Sequence, residues 1–392
     1  MTTIVSRLIA ACILAASPLA AHAQTAPAQT GTAPAPPDQE DAPIALLVDA
    51  SSGQVLHTRN ADRRFIPASI TKAMTLFLAF ELIEEGVLDP RQIVSPRRES
   101  WREWSMKGST MFLPADARVS VDDLLLGIAN VSANDGSIVL AESAAGSVAG
   151  WAEMMNAKAA EIGMENSHFG TPNGWPDEGR TFTSANDLAK LAKAMVRRHP
   201  QKFARYVGRP QFTYNGITQP NHDPMLGRVQ GADGIKTGFT NEAGFGFLGT
   251  VVRGGRRLVL VVAGVPRSPV RARAARSFAE WGFEAFDQKR LFTQGGLVGH
   301  VQVQGGSSRT LEVTAGREVL VSVPKGSDAE ITARIVYDGP LRAPISAGEE
   351  VAMLEVEVPG MNDARIPLFA SHDVETAGFF ARIFNGITGW FA

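Results

Sequence analysis

The sequence predicts an α/β protein. Its first domain is an antiparallel sheet with helices, built around an inserted helical lobe. A small all-β sandwich domain and a C-terminal amphipathic helix follow. Three observations carry this. The ordered chain opens on a hairpin pattern. The apolar spacing then turns helical from Ser69 to His199 and returns to strand-like runs from Ile235. After about Leu291 only short alternating strands remain, until aromatic residues recur at helical spacing at the very end.

The elements follow in chain order. Arg7, an apolar run from Leu8 to Ala20 and the Ala21-His22-Ala23 site make residues 1–23 a secretory signal peptide. Cys12 is the sole cysteine and lies inside it, so the mature chain is expected to hold no thiol and no disulfide. Residues 24–41 are rich in Ala, Pro, Thr and Gln and read as a linker. Ile44–Val48 and Gln54–Thr58 are strands joined through Ser51-Ser52-Gly53. From Ser69 to Glu85 every face is apolar, which implies a buried central helix with Ser69 at its N-terminus and Gly86 ending it. Ser120-Val121-Asp122-Asp123 caps a helix through Asn130. Further helices run from Gly136 to Ala145, from Trp151 to Ile162 and over residues 184–199. Three strands follow, Ile235–Thr240, Gly244–Val252 and Arg257–Val265, and then a helix from Val270 to Asp287. The domains are expected at residues 42–290 and 291–374, with the amphipathic helix over 375–392.

Composition excludes several classes. Lysine plus arginine nearly balance aspartate plus glutamate, for a net charge of −2, and no basic stripe suggests nucleic acid. The seven histidines are scattered without a His-Glu-x-x-His, which argues against a zinc peptidase, and no cofactor is expected. No apolar stretch after the signal is long enough to span a bilayer. In the last segment Phe379, Phe380, Ile383, Phe384, Ile387, Trp390 and Phe391 line one side of a helical wheel, and Arg382, Asn385 and Thr388 the other. That pattern is expected to lie in a membrane interface.

Three short motifs carry chemistry: Ser69-Ile70-Thr71-Lys72, Ser132-Ala133-Asn134 and Lys236-Thr237-Gly238. Each of the first two has a decoy. Ser322-Val323-Pro324-Lys325 places a proline where a helix is needed. Ser184-Ala185-Asn186 stands before Asp187 and Leu188, as a capping box opening a helix. Only the first copies share a spacing with the single Lys-Thr-Gly. Ser69 and Lys72 lie three apart on a helix, so their side chains meet. A serine hydroxyl needs a base, and Lys72 can serve only if burial and a nearby cation such as Lys236 lower its pKa. Ser132 is placed to relay the proton to the leaving amine, and Asn134 to hold Lys72 and the substrate amide. On a strand edge, Lys236 and Thr237 offer charge and a hydroxyl to a terminal carboxylate, and Gly238 leaves room for an extended peptide. The oxyanion hole falls to the backbone N–H groups of Ser69 and Phe239.

With these motifs the chain resembles the low-molecular-mass penicillin-binding proteins, the D-alanyl-D-alanine carboxypeptidases of peptidase family S11. The resemblance runs from about residue 43 to the end. It also includes Ser109-Thr110-Met111-Phe112-Leu113, Ser167-His168-Phe169 with Thr171-Pro172-Asn173-Gly174, and the stretch Gly231 to Thr240. It implies a β-lactamase/transpeptidase-like fold and removal of the terminal D-Ala from peptidoglycan pentapeptides through an acyl-Ser69 intermediate. It also implies β-lactams as covalent inhibitors, and a site on the periplasmic side of the inner membrane with the C-terminal helix on the membrane surface. Where some members have an arginine within Asn-Arg-Asn, this chain has Asn221-His222-Asp223, which makes His222 a candidate substrate-binding residue. Trp175 stands where the family often has leucine, and Phe245-Gly246-Phe247 makes the strand after Lys-Thr-Gly unusually apolar. A serine β-lactamase and a D,D-endopeptidase of the same fold are the rivals within the class, and a non-catalytic wall-binding protein is the rival outside it. The β-lactamase reading lacks a Glu-x-x-x-Asn deacylating segment between the second and third motifs. The complete reactive set speaks against the wall-binding reading.

Overall fold

The computed structural model describes residues 35–37, 41–328 and 330–378. The expected signal peptide, most of the linker and the aromatic segment from Phe379 on lie outside the described residues. Residues 35–51 and Val55–Glu284 form one compact unit, and the residues from Ala285 on belong to a second.

In the first unit β1 (Ile44–Asp49) and β2 (Val55–Arg59) form the opening hairpin. A 3-10 turn, Ala68–Thr71, leads into α1 (Lys72–Glu84). The inserted lobe comprises β3 (Ile93–Val94), α2 (Arg98–Trp104), β4 (Val119–Ser120), α3 (Val121–Asn130), α4 (Asn134–Ala145), α5 (Val148–Glu161), α6 (Ala185–Arg198), α7 (Pro200–Tyr206) and the hairpin of β5 (Gln211–Tyr214) and β6 (Ile217–Pro220). Then β7 (Ala232–Thr240), β8 (Gly244–Arg253) and β9 (Arg256–Val265) return to the sheet, and α8 (Ser268–Glu284) ends the unit. The sheet has five antiparallel strands in the order β2-β1-β9-β8-β7. Its first strands come from the start of the unit and its last from the end, as the sequence predicts, and β7 is left on the edge.

α1 is the axis of this unit. All residues from Lys72 to Leu82 are buried, so it is covered on every face. Burying a side chain such as Met74, Phe77 or Phe80 contributes about 1.5–3 kcal/mol each. The one acid in this stretch, Glu81, is met by His199 Nε2 at 2.6 Å, Lys158 Nζ at 3.0 Å and Arg198 at 3.3 Å. Burial of an unpaired carboxylate would be costly, and these partners offset it. The caps match their sequence signals: the Ser120 and Ser184 hydroxyls accept from the backbone N–H of Asp123 and Asp187.

Four expectations need correction. Ser69 does not begin an α-helix but lies in the 3-10 turn before it, because Pro67 and Ala68, the latter at φ 49°, set a tighter entry. Asn134 is not on the connection but is the first residue of α4, which starts two residues ahead of Gly136. α8 stops at Glu284 and not at Asp287, because Phe286 to Phe292 form β10, paired with β13 (Val319–Pro324), so the units divide ahead of residue 291. Finally, the described residues of 375–392 are not helical, since Thr376 forms a bridge with Gly306.

The second unit is the expected β-sandwich. β10 and β13 pair with each other. A six-stranded sheet takes the order β14-β16-β17-β12-β11-β15, with β11 (Leu297–Gln304), β12 (Thr310–Ala315), β14 (Thr332–Val336), β15 (Leu341–Arg342), β16 (Glu350–Glu357) and β17 (Ala364–Ala370). Alternate residues of these strands, among them Val301, Val303, Leu311, Val313, Leu354 and Val356, close its core. Among the described residues no helix is long and apolar enough to cross a membrane.

Candidate active site

The three motifs meet at the start of α1. The Lys72 ammonium carbon stem is fully enclosed, and Nζ lies 2.9 Å from Ser69 Oγ, 2.7 Å from Asn134 Oδ1 and 2.8 Å from the Asn173 carbonyl. The orientation of Asn134 is fixed from outside, because its Nδ2 donates to the Lys107 carbonyl at 2.8 Å. Asn134 Oδ1 and Asn173 O can only accept. A neutral amine has two N–H bonds and one lone pair, so the N–H bonds go to these oxygens and the lone pair faces the Ser69 hydroxyl. Burial, and then the Lys236 cation, hold the Lys72 pKa well below the ordinary lysine value, against a smaller upward pull from Asp135. Ser69 itself is only half-buried and open to attack a substrate.

Ser132 connects α3 to α4 at φ 62°, a left-handed conformation unusual for a residue with a side chain. With Ala68, also left-handed and next to the nucleophile, it places strained backbone on two sides of the site. Asp135 holds that arrangement. Its carboxylate accepts from the backbone N–H of Met111, Leu113 and Gly136 at 3.0, 3.1 and 2.8 Å, and Asn134 N donates to Ser109 O at 2.8 Å. Burial pushes the Asp135 pKa up despite these bonds.

β7 comes against the nucleophile turn. A Cβ on Gly238 would lie 2.4 Å from Pro67 O and 3.2 Å from Ile70 N, so only glycine lets the strand approach this closely. Gly174, at φ 69°, is tighter still, 1.9 Å from Ala68 O by the same measure, which seats the Asn173 carbonyl on Lys72. Lys236 is buried, with Nζ on the Thr237 carbonyl at 3.0 Å. Its pKa is lowered to about 7, first by burial and then by Arg271. Thr237 is buried and Phe239, next along the edge, is half exposed.

Beside Lys236 stands a second cation. Arg271, in the first turn of α8, is buried, and its Nε has no hydrogen-bond partner among the described residues. Burial lowers its pKa, and Asp223 opposes that. His222 joins this group. It is an exposed residue, yet partial burial, followed by Lys236 and Arg271, lowers its pKa. Asp223 is pushed up to about 6 by burial, although Met225 N and Leu226 N donate to it at 2.7 and 3.3 Å. Lys236 and Arg271 thus act on one buried acid, Asp223, an arrangement with cationic charge to offer a carboxylate from outside.

Of the residues predicted from the sequence, Ser69, Lys72 and Asn134 are in direct contact, and Gly238 packs against the turn that carries Ser69. The motifs assign no role to Arg271, Asp135 or Asn173. A signal existed for Arg271: a positive charge in the first turn of a helix opposes the helix dipole, which favours acids there. Among the described residues there is no cluster of three or more His, Cys, Asp or Glu side chains able to hold a metal ion.

Residues 29–267 match the family model described as D-alanyl-D-alanine carboxypeptidase, and residues 286–376 match that of the penicillin-binding protein 5 C-terminal domain. The D-alanyl-D-alanine carboxypeptidase DacD of Salmonella typhimurium is 33% identical over 94% of this chain and 96% of its own length. DacA of Haemophilus influenzae is 30% identical over 89% of each. The structure of penicillin binding protein 5 from Haemophilus influenzae superposes with a TM-score of 0.77 at 31% identity, covering 87% of this chain and all of that one. Penicillin-binding protein D2 from Listeria monocytogenes, in its ampicillin-bound form, gives 0.57 at 29% identity over 62% of this chain and 98% of that one.

Proposed function

The chain belongs to the D-alanyl-D-alanine carboxypeptidase family, peptidase S11, and from that premise we propose that Ser69 is acylated when the enzyme removes the terminal D-alanine of a peptidoglycan stem peptide. The observation that carries this is the Lys72 Nζ, 2.9 Å from Ser69 Oγ and held by two acceptor oxygens, so that in its neutral form the remaining lone pair faces the hydroxyl. The substrate lies extended along the open edge of β7. Its C-terminal carboxylate faces Lys236, Thr237, His222 and Arg271. Ser69 Oγ attacks the penultimate carbonyl carbon as its proton passes to Lys72 Nζ. The oxyanion forms between the backbone N–H groups of Ser69 and Phe239. The C–N bond then breaks, and the departing D-alanine amine takes a proton through Ser132. Water hydrolyses the ester and restores Ser69. β-Lactams enter by the same acylation.

The test is release of free D-alanine from a diacyl-Lys-D-Ala-D-Ala peptide, with a long-lived penicillin adduct on the protein. Rapid penicillin turnover without D-alanine release would favour a β-lactamase; cleavage of cross-linked peptides without D-alanine release would favour an endopeptidase.

The carboxylate assignment makes a separate prediction. Arg271→Gln should raise KM for the peptide by about tenfold to a hundredfold and change kcat little, because the contact is made in ground and transition states alike. A fall in kcat at unchanged KM would remove Arg271 from the carboxylate site.

We also propose that residues 1–23 direct export, that the enzyme works on the periplasmic side of the inner membrane, and that residues 375–392 attach it there peripherally. The support is the composition of the two termini. If mature chain ending at Asp373 still sediments with vesicles of anionic lipid as the full chain does, the attachment is not through this segment.

A further inference from the structure

An aromatic pair of the first unit is bonded to the residues that hold Lys72. Trp104, at the end of α2, and Trp175, two residues after Asn173, meet edge to face with ring centroids 5.6 Å apart. The Lys107 ammonium lies 4.3 Å from the Trp104 ring centroid and 5.1 Å from that of Trp175, and Glu103 holds it at 2.9 Å. A cation shared by two indole faces fixes both rings. The assembly is wired into the catalytic residues. The Lys107 carbonyl accepts from Asn134 Nδ2 at 2.8 Å, and Trp175 N donates to Asn173 Oδ1 at 3.0 Å. The Trp175 ring and Asn134 Nδ2 close over Gly108 together, 2.9 and 2.7 Å from where a Cβ would stand. Both indoles are half-buried, and Met106, two residues after Trp104, is 80% exposed.

We propose that Trp104, Lys107 and Trp175 form a subsite for the apolar acyl portion of the substrate, the side chain and acyl group upstream of the scissile bond. The inference rests on the Ser69 reading. With the terminal carboxylate at Lys236 and Arg271, the acylating half of the peptide must leave Ser69 in the other direction. Asn134, which is placed to take the amide of that half, is the residue that touches this cluster. An aromatic or long aliphatic group laid on the indoles replaces water on surface that is already rigid, so little ordering entropy opposes binding.

Two β-lactams separate this subsite from the rest of the site. Benzylpenicillin carries an aromatic acyl group, and 6-aminopenicillanic acid has the same ring and carboxylate without it. Trp175→Leu should lower the second-order rate of acylation by benzylpenicillin about tenfold and leave that by 6-aminopenicillanic acid within about twofold. Trp104→Leu, which removes the edge-to-face partner, should move the ratio the same way. Equal loss with both compounds would mean that Trp175 only positions Asn134 and Asn173, and an unchanged benzylpenicillin rate would remove the acyl contact; either overturns the proposal. If neither compound acylates the wild-type protein, the Ser69 reading itself falls, and this one with it.

Discussion

Ser69→Ala should abolish both D-alanine release and covalent labelling by penicillin, a loss of at least about 10³-fold. Among the described residues, Lys72 Nζ bonds no hydroxyl other than that of Ser69. Its proton acceptor is committed, since Lys72 Nζ is shared between Asn134 Oδ1 and Asn173 O and reaches no other nucleophile in the contacts around it. Thr71 is next in sequence, but it is buried. Intact mass after incubation with benzylpenicillin reads the result directly: one adduct on the wild type and none on the variant. The cations proposed to receive the carboxylate are untouched, so the variant should still bind the peptide. Persistent labelling would place the nucleophile elsewhere.

Lys72→Met should slow acylation by about 10²- to 10⁴-fold, the usual worth of a positioned base. Methionine fills a similar volume in the buried helix, so the loss reports the missing amine more than a cavity. Lys72→Arg should not rescue it, because a guanidinium keeps its proton. The same chemistry sets the pH dependence. As pH falls through the lowered Lys72 pKa, the amine takes up a proton and can no longer act as base, so acylation falls on the acid side. As pH rises through about 7, Lys236 in the free enzyme loses its charge, and kcat/KM for the peptide falls. A bound carboxylate favours charged Lys236, so kcat should hold to higher pH than kcat/KM does. A kcat/KM that keeps rising well above pH 7 would show that Lys236 remains charged throughout.

Much of this was legible in the sequence, and particular residues show where legibility stopped. The helical spacing of Met74, Phe77, Leu78 and Leu82 marks α1, but over the four residues Ala68–Thr71 that spacing cannot separate a 3-10 turn from an α-helix. Ser69, Lys72 and Lys236 are readable because their motifs have fixed internal spacing. Arg271 has none: it reaches Lys236 only through the packing of α8 against the sheet, a tertiary fact. Asp135 looks like an ordinary acid in a helical first turn, and its use, holding the backbone of Met111 and Leu113, depends on a loop folded back from elsewhere. The segment after Glu284 carries helical spacing to Asp287, but strand pairing with Val319–Pro324 overrides it.

The pairing of β1 with β9 sets Ile44 opposite Ala263. The nucleophile turn therefore rests on a sheet whose remaining strands are the last parts of the unit to be made. A growing chain that has passed Ser69, Ser132 and Asn134 holds every acid–base group of the reaction, yet β7 has no neighbour until β8 and β9 exist. Contacts this far apart in sequence form late and slowly. Acylating power should thus switch on in one step once the residues of β9 are in place, leaving any shorter chain inert toward penicillin.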